Sequence, residues 1–371
     1  MTAEGSIKGR RPENDKVLIT APPLTGPGGV EAYIAALLPH LSSLTSGGVD
    51  HLSIGGQNRG RHLPILGDAT RLRRKLNSRE FGVLHLNPSL NLRAFIRDAA
   101  LLRIGKANGL RVITSFHGWN EAFASAITRT RGAIFRLLYG GADVFTVLAA
   151  KHRAQILSWQ PNSVVHTERT VVDDRLLEHP VTLATRGSAV RVLFLARVER
   201  EKGIFDLIDA VAKARACGVD LTLSIAGDGS ALGAARKMVE SIGCGSAVRF
   251  LGYLRGEEKA SALANHDLYC LPTYHPEGIP VALLEAMAFG LPIAVADSGG
   301  IADIFDETKM GALVRPQEPD ALADSLIRLA NDRNRMEQIA SFNREFAREN
   351  FLASRVATRI ASYYSTLHEG I

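Results

Sequence analysis

Two glutamates, Glu277 and Glu285, stand eight positions apart. The first lies on a Gly/Pro turn, Glu277 to Pro280, and the second lies inside the apolar run Val281 to Gly290. Pro280 at the start and Gly290 at the end bracket that run as a helix. A carboxylate in an apolar helix is costly unless something hydrogen-bonds it. Ribose and hexose hydroxyls are donors that a carboxylate accepts, so the segment suggests a sugar or nucleotide site at the mouth of a helix. Taken alone, it reads more often as a core helix with one locally paired glutamate.

Other groups suited to the same chemistry follow apolar runs. Arg197 and Lys202, five apart and followed by Gly203, form a loop that can clamp a diphosphate, Arg as a fork and Lys as a point charge. An ordinary charged surface turn has the same composition. The loop Pro22 to Val30 contains Gly28 and Gly29, where backbone can approach a ligand and a helix start offers free N–H groups to an anion. It lacks the GxGxxG spacing of a dinucleotide fingerprint. His117-Gly118 stands where a sugar or acceptor contact would be useful, although a lone histidine is more often structural. Gly227-Asp228-Gly229 and Asp297 to Ile301 are two further tight approaches to helix starts. Each signal is weak to moderate by itself; their joint placement is stronger.

The elements that must position these loops alternate in type. Strands are predicted at Lys16–Thr20, Gly82–Leu86, Arg111–Phe116 and Val144–Val147, then at Val190–Leu195, Leu221–Ala226, Val248–Leu251, Leu268–Leu271, Pro292–Ala296 and Ala312–Val314. Helical patterns fill the intervals, among them Ile301–Phe305 and one long terminal segment over 333–368. Alternation of this kind means parallel sheets covered on both faces. Two such series predict an α/β chain of two Rossmann-like domains facing across a cleft. The boundary is placed near 180–189: an N-terminal domain over 1–185, a C-terminal domain over 186–350, and a final helix over 351–371 crossing back to the first. In open α/β sheets ligands gather at the carboxyl ends of the strands, where all of the loops above fall.

A chain of 371 residues exceeds one ordinary core. Three cysteines without metal or disulfide spacing suit a reducing compartment. The polar N-terminus has no apolar signal-like stretch, and no run approaches the roughly 20 residues of a spanning helix. The expected location is therefore cytoplasmic. The net charge of +6 is uneven: residues 1–185 carry 23 Lys/Arg against 14 Asp/Glu, residues 186–371 carry 21 against 24. Arg71, Arg73, Arg74, Lys75 and Arg79, then Arg93, Arg97, Arg103 and Lys106 among apolar residues, suggest contact with an anionic membrane or simply a solvated basic face. Basic residues are not interleaved with aromatics, so nucleic acid is not expected as a partner.

With these residues in hand, the chain resembles the family-4 retaining glycosyltransferases, which have the two-Rossmann B-type (GT-B) fold. The resemblance covers nearly the whole chain and is most specific over 190–330. There, Arg197 with Lys202-Gly203 resembles the family's phosphate clamp, and Glu277 through Glu285 its Glu-x7-Glu motif, running on into EAMAFGLPIAVADSGGIADI. The resemblance implies that Arg197 and Lys202 neutralise the diphosphate of a nucleotide-activated sugar and that Glu285 accepts the ribose hydroxyls. Glu277, with Gly278, Ile279 and Pro280, would hold the transferred hexose. His117 would touch the sugar near the reacting centre, Gly28 and Gly29 would approach the phosphate or acceptor, and Gly252 to Leu254 would border the base.

It further implies transfer with retention of anomeric configuration to a saccharide, lipid-linked, acceptor in polysaccharide or glycolipid biosynthesis, at the inner face of a membrane. No Asp-x-Asp pair follows a strand, so neither metal nor cofactor is expected beyond the nucleotide sugar as co-substrate. One departure is visible: where many relatives carry a Pro-Asn-Gly turn after the last strand of the first domain, this chain has Val165 to Thr170. Two other readings share the fold. A nucleotide-sugar epimerase or a phosphorylase would need acid/base carboxylates and histidines around the sugar, or a lysine-bound cofactor. A non-catalytic sugar-nucleotide-binding scaffold would be expected to have lost at least one of Arg197, Lys202, Glu277 and Glu285, because buried charges without ligands are expensive.

Overall fold

The computed structural model describes residues 16–25, 29–55, 64–182, 187–275 and 278–369. It divides into two compact units, the first comprising 1–168 with 356–371 and the second 169–355.

The first unit runs β1 Lys16–Ala21, α1 Gly29–Leu44, β2 Val49–Ser53, α2 Pro64–Leu76, β3 Phe81–Leu86, β4 Ser89–Leu90, α3 Leu92–Ala107, β5 Arg111–Phe116, β6 Gly118–Trp119, α4 Glu121–Arg129, α5 Ala133–Tyr139, β7 Val144–Val147, α6 Ala150–Trp159 and β8 Val164–Thr167. Its six-stranded sheet is parallel, in the order β2-β1-β3-β5-β7-β8. The second unit runs α7 Arg175–Glu178, β9 Val190–Leu195, a 3-10 turn Arg200–Lys202, α8 Ile204–Ala216, β10 Leu221–Ala226, α9 Leu232–Ser241, β11 Val248–Gly252, α10 Gly256–Ala264, β12 Leu268–Leu271, α11 Val281–Phe289, β13 Ile293–Ala296, α12 Glu307–Met310, β14 Gly311–Val314, α13 Pro319–Asn331 and α14 Arg333–Asn350. Its parallel sheet has the order β11-β10-β9-β12-β13-β14. The last helix, α15, spans Ala353–Glu369.

The central strands β12 and β13 are buried throughout, as helices on both faces require. Edge strands differ. The residues of β2 (VDHLS) are all half-buried, and β8 begins on an exposed valine. Neither carries the apolar run that marks a central strand, which is why both are missing from the predicted set. The segment expected to follow the first domain's last strand is thus itself that strand. β8 ends at Thr167, and Glu168 N–H then bonds the Val147 carbonyl at 2.8 Å.

The boundary expected at 185/186 lies at 168/169. Val172 and Leu176 are packed in the apolar core of the second unit, and Val172 donates to the Phe351 carbonyl at 2.8 Å and pairs with Leu352. The long terminal helix breaks at the same point, since Phe351 and Leu352 leave helical geometry to make that pairing. From Val356 onward α15 belongs to the first unit. Tyr364 bonds His85 at 2.7 Å, and the buried Glu168 carboxylate accepts from Arg359 at 3.0 Å and from Tyr363 at 2.6 Å. The helix predicted at Ile301–Phe305 is a set of turns; the helix begins after Asp306, whose side chain caps Thr308 N–H. Among the described residues no helix is long and apolar enough to cross a membrane.

Candidate active site

In each sheet, strand order reverses at one place, and there neighbouring loops diverge to leave a crevice at the carboxyl ends. In the second unit the reversal falls between β9 and β12. The loop leaving β9 carries an exposed Arg197 and a Lys202 only 5% exposed, on the 3-10 turn. Gly203 follows at φ +74°, and a Cβ there would lie 2.1 Å from the Pro272 carbonyl oxygen on the loop leaving β12. The glycine is what lets the Lys202 turn sit against that loop. Two bonds fasten the same contact: Tyr274 N–H donates to the Glu201 carbonyl at 3.0 Å and Thr273 Oγ1 donates to it at 3.1 Å.

The loops after β10 and β13 are tied in as well. A Cβ on Gly227 would lie 1.9 Å from the Ala196 carbonyl oxygen. Val198 N–H donates to the Asp228 carbonyl at 2.9 Å, and the Glu199 carboxylate accepts from Ser230 N–H at 3.1 Å and from its hydroxyl. Ser298 Oγ donates to the His275 carbonyl at 3.0 Å. Gly300 lies close against Gly278 and Ile279, where a Cβ would stand 3.4 Å from the Gly278 carbonyl carbon. Arg197, Lys202, Gly278, Ile279 and Pro280 are thus carried by loops that brace one another, with the Arg197 guanidinium in no ion pair among the described residues. Replacing Gly203 with alanine is expected to destabilise the second unit by about 2 kcal/mol or more, read by denaturant unfolding. An unchanged midpoint would mean the turn accommodates a side chain.

Pro280 caps α11, which is apolar on every side and stops at Gly290, φ +81°. Glu285 is buried on it, 5% exposed, and the structure supplies a partner that the sequence did not suggest. Lys259, in the first turn of α10, reaches Glu285 Oε1 at 2.6 Å. Among the described residues Oε2 has no hydrogen-bond donor. One oxygen therefore holds the lysine and the other remains an acceptor. Glu277 and Gly28 lie outside the described residues. The Gly252 to Leu254 stretch ends β11, where Gly252 takes φ +73° and Tyr253 is 64% exposed with the Arg255 guanidinium 4.8 Å from its ring centre.

The first unit reverses between β1 and β3. Gly29 opens α1 just after β1, with open space where a Cβ would go. His117 follows β5 and is half-buried. Its neighbours are Tyr33 from α1, with ring centres 4.6 Å apart, and Asn87 from the end of β3. Asn87 Nδ2 donates to the Thr20 carbonyl at 3.1 Å, so its Oδ1 faces His117 Nε2 at 2.8 Å and must accept. That fixes the tautomer: Nε2 carries the proton and Nδ1 is a bare acceptor. Burial pushes the His117 pKa down to about 4. Folded-state protonation is thus suppressed, and stability from the neutral ring is present at high pH and lost as pH falls from the ordinary 6.5 toward 4. Long-range proton–nitrogen spectra are expected to show the Nε2–H form, titrating well below pH 6. A midpoint near 6.5, or an Nδ1–H form, would contradict the assignment.

Lysine 259 and Asn87 were not legible as site residues. Lys259 follows two glutamates in a helix with no motif. Asn87 had one usable signal, its place in Leu86-Asn87-Pro88 directly after a strand.

Residues 179–346 match the family model described as glycosyl transferases group 1. Over most of its second unit the chain is similar to the glycosyltransferases of group 1. The match spans most of the second unit, including Arg197, Lys202, Lys259, Gly278 to Pro280 and Glu285. Similar curated proteins include a phosphatidyl-myo-inositol mannosyltransferase of Mycobacterium leprae, 28% identical over 80% of this chain and 77% of that protein. Another is the putative colanic acid biosynthesis glycosyltransferase WcaL of Salmonella typhimurium, 25% identical over 77% of this chain and 70% of that protein.

Among solved structures, a glycosyltransferase from Rickettsia africae covers 96% of this chain and 100% of its own, with TM-score 0.74 and 14% identity. HepE of Anabaena, solved in complex with UDP and glucose, covers 95% and 100% with TM-score 0.67 and 17% identity. These likenesses agree with the two parallel sheets described above and identify the GT-B fold.

Proposed function

We propose that this glycosyltransferase moves a hexose from a nucleotide-diphosphate sugar to a saccharide acceptor carried on a lipid, with retention of configuration and without metal, in polysaccharide or glycolipid biosynthesis. The observation that carries the reading is the lacing of the Arg197–Lys202 loop to the loop leading into Gly278–Pro280 across the β9/β12 reversal. Two cations at that crevice suit a departing diphosphate, and fixed positive charge is the main resource such a reaction uses. Arg197 and Lys202 neutralise the leaving group, the Glu285 oxygen left open by Lys259 accepts a ribose hydroxyl, and the bare Nδ1 of His117 accepts a sugar hydroxyl. In the transfer step the acceptor oxygen bonds the anomeric carbon on the face from which the diphosphate leaves. The C–O bond to phosphate breaks, and a phosphate oxygen takes the acceptor proton.

The similarity to a phosphatidyl-myo-inositol mannosyltransferase and to a putative colanic acid biosynthesis glycosyltransferase favours a glycolipid or polysaccharide setting. The basic face of the first unit fits a lipid acceptor, though less of it is free than its composition suggests. Arg71, Lys75, Arg97 and Lys106 are paired with Asp68, Asp50, Asp98 and Asp143. Arg73, Arg74 and Arg93 have no carboxylate partner among the described residues, and they are accompanied by exposed Leu66, Leu92 and Ile96. That combination supports peripheral attachment to anionic lipid.

The test is incubation with UDP-, GDP- and ADP-hexoses plus a lipid extract, in chelator and then in magnesium, scoring nucleoside diphosphate release and the product's anomer. Release in chelator with a retained anomer is expected. An inverted anomer, or activity only with magnesium, would remove those parts of the reading; release with none of the donors would remove the donor assignment.

A further inference from the structure

The second unit's sheet also has an opposite end. His266 and Asp267, just before β12, and Leu291 and Pro292, just before β13, border a cavity of about 350 Å³. The site loops leave the other ends of the same four-residue strands, so the two places are separated by about 13 Å of strand.

One wall of the cavity is α14, which brings Arg344 and Arg348 one turn apart and Arg333 at its start. None of the three pairs with a carboxylate among the described residues. Each instead donates to a backbone carbonyl: Arg333 to Ser188 at 2.7 Å, Arg344 to Phe289 at 3.4 Å and Arg348 to Ala288 at 3.1 Å.

Cations are favoured at a helix carboxyl end, here the last turn of α11. That accounts for one N–H from Arg344 and one from Arg348, and leaves most of each five-donor fork unused. Burial and the Arg344 charge both hold the Arg348 pKa below its ordinary value, the repulsion of two like charges that an anion would relieve. Of the lining carboxylates, Asp267 is already engaged by Arg191 through two bonds of 2.9 and 3.0 Å, and Glu337 is exposed. Apolar Leu263, Phe289 and Met336 complete the lining. His266 donates through Nδ1 to the Ala262 carbonyl at 2.6 Å, which leaves Nε2 as an acceptor.

We propose that this cavity binds a phosphorylated small molecule, its phosphate in the forks of Arg344 and Arg348 and its carbon part against Phe289 and Met336. The site is distinct from the transfer site and does not depend on the donor assignment. It touches the carboxyl end of α11, whose opposite end follows Gly278 to Pro280, so an occupant would press on the same helix that presents those residues.

The probe is inorganic pyrophosphate titrated calorimetrically into the full chain, into Arg197→Gln/Lys202→Met, and into Arg344→Gln/Arg348→Gln. Binding that survives the first pair of substitutions and weakens about tenfold or more with the second is expected, the size of losing charge-assisted hydrogen bonds. Arg344→Lys/Arg348→Lys keeps the charges and the helix-end contacts but loses the forks, and is expected to weaken binding less than the glutamine pair. If the glutamine pair leaves pyrophosphate affinity unchanged, or if the Arg197/Lys202 pair abolishes all binding, the second site does not exist. A parallel arm uses phosphatidylglycerol vesicles. Vesicle binding lost with the glutamine pair and displaced by pyrophosphate identifies a lipid headgroup as the phosphate source; vesicle binding indifferent to the pair, with pyrophosphate bound, identifies a free phosphate.

Discussion

Replacing Lys202 with methionine lowers turnover by about 10²- to 10³-fold, the loss typical when one preorganised electrostatic group is removed from a developing charge. Methionine keeps the aliphatic packing of a side chain that is only 5% exposed, so the fold is expected to persist. The 3-10 turn is held through its backbone, by Lys202 N–H to Glu199 and Tyr274 N–H to Glu201, and neither bond uses the ammonium. The rate effect and any stability effect therefore separate: unfolding midpoints report the packing, and single-turnover release of nucleoside diphosphate reports the charge. Near-normal turnover in a folded variant would show that the leaving diphosphate is stabilised elsewhere.

The second large effect is on donor affinity. Glu285→Gln weakens binding of the nucleoside diphosphate about ten- to a hundredfold, as loss of a charged acceptor for a ribose hydroxyl should. Stability also falls, because Lys259 loses its partner at 2.6 Å and breaking a mostly buried pair is costly. Affinity of the folded fraction is therefore the quantity to compare. A double-mutant cycle with a deoxyribose donor analogue distinguishes the two consequences. In the unsubstituted enzyme the missing hydroxyl weakens binding; in Glu285→Gln it makes little further difference. Equal penalties in both backgrounds would detach Glu285 from the ribose and leave it as the partner of Lys259 alone.

Legibility differed between the two units. In the second unit, Arg197, Lys202 and Glu285 stood out because charges beside apolar runs are anomalies that a sequence displays. Their partners did not. Lys259 is an unremarkable lysine until α10 is folded against α11, and the open oxygen of Glu285 exists only because Lys259 occupies the other. In the first unit His117 was visible as a polar residue after a strand, but its protonation state was not. Asn87 sets that state, thirty positions earlier in the chain, and it does so only because its amide is already committed to the Thr20 carbonyl. The charge pattern misled in one respect, since four of the basic residues that suggested an anionic surface are neutralised by aspartates of their own unit.

The sequence by itself determined that strands alternate with helices, that both sheets are parallel, and that the chemically equipped loops follow strands. Those properties are written in hydrophobic period, glycine placement and the cost of a buried charge, all of which act within a few residues. Strand order and the crossing points of the chain were decided only in three dimensions. The sheets reverse between β1 and β3 and between β9 and β12 because of which strands pair, and β2 and β8 are edge strands too polar to announce themselves. The units part at 168/169 because Val172 pairs with Leu352, a contact across 180 positions that no local pattern encodes. Pairing between distant segments is settled by the total burial it achieves, and that total has no local signature.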